Sequence, residues 1–84
     1  MAKWIKADGS MEDVEPNNGS DFSLEELNKF VDGFIEVVWL PNGKLMVVNE
    51  EGQLKRLTPN PVASIIARQF IVGDVLLCDE EQVK

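Results

Sequence analysis

Eighty-four residues with one cysteine and no histidine make a single small domain, with no internal disulfide and none of the common zinc patterns. A chain this short buries only about 60–65% of the surface its unfolded form exposes, which leaves oligomerisation as its stabilising device. A formal charge of −7 makes it a poor binder of DNA or of anionic membrane, and no apolar run approaches the ~20 residues that span a bilayer.

The opening MAKWIKADG lacks the apolar core of a signal peptide, and a lone free Cys78 suits a reducing cytoplasm. From Trp4 to Val14, apolar and polar residues alternate around Asp8-Gly9, which predicts a hairpin. Residues 15–21, EPNNGSD, read as a mobile loop. Ser23 and Glu26 have the spacing of a capping box, and Leu24, Leu27, Phe30 and Val31 share one helical face, so a helix is expected from Ser23 to Asp32, ended by a left-handed Gly33.

Phe34 to Leu40, rich in β-branched and aromatic residues, predicts a strand. Pro41-Asn42-Gly43 turns the chain into a return strand over Lys44 to Asn49. After a second turn at Glu50-Glu51-Gly52, Gln53 to Leu57 reads as a third strand of a meander. Asn60-Pro61 is a strong helix start, and the helix to about Gln69 is expected to bury Val62, Ile65 and Ile66, with Ala63 and Ala67 allowing close backbone approach. Phe70 to Cys78 reads as the last strand, bent at Gly73-Asp74, and 79–84 as a polar tail that is frayed or forms a short helical turn. The expected fold is thus one α+β domain over 1–84, in the order ββαβββαβ, with a mostly antiparallel sheet and helices on one face.

Catalytic chemistry has no evident seat. Without His the usual general base is missing, and Asp79 and Glu80 beside Cys78 disfavour a thiolate. No catalytic residue, metal ligand or cofactor is expected. Binding chemistry is better supplied, because the charge is unevenly placed. Residues 1–39 carry three Lys against nine acids, whereas 40–70 carry Lys44, Lys55, Arg56 and Arg68 against Glu50 and Glu51. An anionic nucleotide wants Arg forks, a helix N-terminus and an aromatic face. Arg56, Thr58, Asn60 and Arg68, with Trp39 for stacking, are the candidate ligand-binding residues. Lys44, beyond the far turn of the hairpin, is expected to matter little.

The succession VDGFIEVV, LPNGKLMVVNEEG, LKRLTPNPVA and FIVGDVLL, over residues 31–78, resembles a family of small proteins of unassigned function carried by bacteriophages, prophages and plasmids. Small acidic phage proteins of that kind often counter host defence. The resemblance implies a phage or mobile-element source. Small size, expected oligomerisation and the basic centre then make the chain a candidate homo-oligomeric sponge in the host cytoplasm, one that sequesters a cyclic oligonucleotide or related nucleotide signal without turnover. The alternative is an acidic inhibitor that imitates nucleic-acid phosphates against a host protein. Trp39 and Met46 are the apolar residues expected to carry the oligomer interface.

Overall fold

The computed structural model describes residues 2–83. Strand β1 (Ala2–Ile5) pairs with β2 (Met11–Val14) across the turn that holds Asp8 and Gly9. Helix α1 (Leu24–Val31) begins at the expected capping box: Ser23 Oγ accepts the Glu26 N–H at 3.1 Å, and Glu26 Oε1 accepts the Ser23 N–H at 2.8 Å. Strands β3 (Ile35–Trp39) and β4 (Lys44–Asn49) form the second hairpin, α2 (Pro61–Ala67) follows, and β5 (Val75–Asp79) runs into a single 3-10 turn, Glu80–Gln82. The strands form one antiparallel sheet in the spatial order β2-β1-β5-β4-β3.

The α+β class and the single sheet are as expected, with two corrections. Gln53–Leu57 is not a strand. The segment after Gly52 coils into successive turns, with Lys55 N–H donating to Glu51 O at 2.9 Å and Leu57 N–H to Gly52 O at 3.0 Å. The third β segment survives only as an isolated bridge between Pro59 and Val72, so the order of full strands and helices is ββαββαβ.

The helices also lie on opposite faces of the sheet. Alternation along β4 sends Leu45 and Val47 into a cluster with Leu27 and Val31 of α1, together with Ala2, Leu76 and Cys78. Met46 and Val48 face the other way, against Ala63 of α2, Ile5, Ile71 and Val75. Two apolar faces on β4 need two covers, and each helix supplies one. Met46 is fully buried there and is unavailable to the interface expected of it.

Helix α2 is rotated relative to the expectation. Ala63 is its buried residue, with Val62 and Ala67 half-buried, while Ile65 is 77% exposed and Ile66 is 38% exposed. The cause is Asn60, which is completely buried. Its side-chain carbonyl accepts the Ala63 N–H at 3.1 Å, and its amide donates to Ile5 O at 3.1 Å and Gly73 O at 2.9 Å. These bonds press the first turn of α2 onto the sheet and leave the apolar residues of the next turn outside.

A second buried amide fixes α1. Asn49 Nδ2 donates to Val31 O at 3.0 Å and Asp32 O at 3.2 Å, which satisfies carbonyls at the helix end. The left-handed residue is Asp32, at φ 57°, rather than Gly33. Gly33 is needed for space, since a Cβ there would lie 2.8 Å from Asn49 Nδ2. Loop 15–21 is held to α1 by Asn17 N–H donating to Glu26 Oε2 at 3.0 Å.

Candidate functional site

The five candidate residues do not converge. Asn60 has no polar atom to spare for a ligand: besides its side-chain bonds, its N–H donates to Ile71 O at 2.9 Å and its carbonyl accepts from Ser64 N–H at 3.0 Å. Its side chain fills the helix N-terminus that was expected to receive an anion. Thr58 is exposed, and its backbone carbonyl accepts the Gly73 N–H at 2.7 Å. Arg56 ends the run of turns after β4 and lines a hollow of about 420 Å³ with Gln53, Leu57, Pro59 and Phe70.

Arg68 lies elsewhere. It caps the far end of α2, about 10 Å along the axis from the helix start at a rise of 1.5 Å per residue. There it lines a hollow of about 440 Å³ with Trp39, Leu40, Asn42, Lys44 and Ile66. That volume falls within the range of small-ligand sites. The structure therefore unites Arg68 with Trp39 and separates both from Arg56, Thr58 and Asn60.

Lys44, set aside on sequence, belongs to the Arg68 hollow. The hairpin register could have revealed it, because the Pro41-Asn42-Gly43 turn returns the chain so that Leu45 opposes Trp39. The Lys44 ammonium pairs with Asp79, and this bond holds the Asp79 carboxyl below its ordinary range.

Both arginines share two properties. Neither forms an ion pair among the described residues, whereas Lys3, Lys6, Lys44 and Lys55 each do. Both also adopt the left-handed conformation, Arg56 at φ 54° and Arg68 at φ 56°. A non-glycine residue in that region costs about 1–2 kcal/mol, and helix ends usually place Gly or Asn there. Two exposed guanidinium forks are thus held where glycine would fit better.

The remaining chemistry is sparse. A third groove, of about 280 Å³, carries Glu36 and Glu50 and no cation, so it is unsuited to an anion. Cys78 is fully buried, and burial with Asp79 beside it pushes the thiol up to about 11, far from a nucleophilic thiolate. Among the described residues, no three of Cys, Asp and Glu gather at metal-holding distance. No helix there is long and apolar enough to cross a membrane.

Comparison with curated proteins and with solved structures returned no match. Comparison with family profiles returned one, described as a domain of unknown function (DUF3846), over residues 4–83. With nearly its whole length matched, from the first strand through the closing 3-10 turn, the chain belongs to the DUF3846 family.

Proposed function

We propose that this protein is a non-catalytic binding module that sequesters an anionic nucleotide in the hollow between the β3–β4 turn and the end of α2. The role we assign it is that of a phage or mobile-element sponge, acting in the host cytoplasm against the cyclic-nucleotide signal of a defence system. The observation that carries the reading is Arg68, exposed and without an ion pair among the described residues, in a left-handed conformation beside Trp39 and Lys44. Uncommon backbone geometry is retained where a side chain is needed at a site. Arg68 supplies a fork for phosphate and Trp39 an aromatic surface for a base.

Calorimetry against cyclic dinucleotides and cyclic ADP-ribose isomers tests the reading. Charge-assisted Arg contacts contribute roughly 1.5–3 kcal/mol, so Arg68→Ala weakens binding by about tenfold to a hundredfold. Trp39→Ala weakens it by a similar factor, given the ~1–3 kcal/mol of base stacking. Arg56→Ala, in its own hollow, has less than about a threefold effect, a difference under ~0.7 kcal/mol. Absence of any nucleotide affinity tighter than about 10 μM, or full affinity in Arg68→Ala, removes the proposal.

The acidic-inhibitor alternative then takes its place. It draws on Glu15, Glu25 and Glu26, which gather around one hollow beside α1. On that reading Glu12→Gln or Glu25→Gln impairs function and Arg68→Ala does not.

A further inference from the structure

The two edges of the sheet are built differently. The β2 edge is short and charged: Asp13 pairs with Lys3 at 2.5 Å, and Glu12 with Lys6 at 2.7 Å. Charges of this kind discourage a further strand from adding. The β3 edge has no such protection. Ile35–Trp39 contains no proline and no lysine, with Glu36 its one charge. None of its residues is buried, and the aromatic residues at its two ends, Phe34 and Trp39, are each 69% exposed.

The β3–β4 ladder fixes which backbone groups face outward. Leu40 N–H donates to Lys44 O at 3.0 Å, and Glu50 N–H donates to Phe34 O at 2.9 Å. Hydrogen-bonded pairs in an antiparallel ladder recur at every second residue, so the even-numbered residues of β3 bond to β4. Ile35, Val37 and Trp39 therefore turn their N–H and C=O groups away from the sheet.

We propose that this edge pairs with a second copy of the chain, antiparallel and centred on Val37, to form one sheet that continues through both molecules. The segment is self-complementary in that register. Val37 faces Val37 of the second copy, Ile35 faces Trp39, and Phe34 faces Leu40, so both exposed aromatics gain an aliphatic neighbour. Glu36 falls opposite Val38. The neighbouring registers are worse. A shift centred on Glu36 sets two like charges face to face, and one centred on Val38 places Ile35 opposite Pro41, which has no N–H to give. The interface does not depend on the nucleotide reading.

Sedimentation at micromolar concentration tests it. The parent runs at about 19 kDa, twice the 9.4 kDa chain. Val37→Pro removes an outward N–H that no bond within the monomer uses, and so produces a folded monomer with unchanged far-ultraviolet dichroism. Asp13→Pro, the matching change on the β2 edge, stays dimeric. Amide exchange gives a readout without mutation: the Ile35, Val37 and Trp39 amides are protected in the parent at high concentration and lose protection on dilution. A monomeric parent, a dimeric Val37→Pro, or unprotected amides at these positions would overturn the proposal. Loss of nucleotide binding with the dimer intact counts only against the ligand reading.

Discussion

Asn60 and Arg68 flank the same short helix, and their surroundings give them opposite parts to play. Asn60 is sealed in the core, and its bonds join β1, α2 and the bend before β5. Asn60→Ala removes a helix cap and the side-chain amide that donates to the buried carbonyls of Ile5 and Gly73. It should cost about 2–4 kcal/mol, read as a lower urea midpoint at unchanged slope. Arg68 is exposed and conformationally unfavourable. Arg68→Gly relieves the left-handed backbone but adds freedom to the unfolded chain, so stability should be unchanged or rise by up to about 1 kcal/mol while nucleotide affinity is lost. Thermal melts and calorimetry on one variant separate the two effects. Cys78 gives a pH signature. Its thiol is raised from 9.0 to about 11 in the fold. Below pH 9 both states keep the proton; above it the unfolded chain releases the proton first. Stability should therefore fall as pH rises through that window, by up to about 2–3 kcal/mol more in the parent than in Cys78→Ala.

At the scale of elements, β4 organises the molecule because both of its faces are buried. Its last residue, Asn49, ties the sheet to the end of α1. Gly33→Ala would push a methyl group to within 2.8 Å of the Asn49 amide and strain a backbone at φ 155°. Displacing that amide strands the Val31 and Asp32 carbonyls, at a cost of about 2–3 kcal/mol. Asn49→Ala breaks the same bonds. The double variant should lose clearly less than the sum of the single losses, a non-additivity that denaturant titration of all four proteins measures. Fully independent losses would mean that Gly33 and Asn49 act through separate contacts.

For the whole molecule, the relevant quantity is a charge of −7 on a chain whose two arginines form no ion pair among the described residues. Salt screens both the self-repulsion of the acidic surface and the attraction of a phosphate-bearing ligand. Raising ionic strength should therefore lift Tm modestly while weakening nucleotide binding. Paired melts and titrations between low and physiological salt check the opposed slopes. A ligand affinity indifferent to salt would argue against Arg68 as the phosphate contact.

Local rules were enough to place α1 by its capping box, the two hairpins by their turn residues and the start of α2 by Asn60-Pro61, because caps and turns are satisfied within a few residues of chain. The α+β class followed from those pieces. The Gln53–Leu57 turns were not legible, since the Glu50-Glu51-Gly52 turn signal reads as the start of another return strand, and only the bridge from Pro59 to Val72 shows where the chain goes instead. Nor was the placement of the helices on opposite faces, which depends on how alternate residues of β4 divide between two clusters. The site shows the same division. Sequence marked Arg56, Arg68 and Trp39 by residue type and charge. Tertiary structure decided that Asn60 is a buried anchor, that α2 holds Arg68 apart from the Arg56 hollow, and that Lys44 joins Trp39. Such groupings are set by long-range pairing and burial, which no short window of sequence contains.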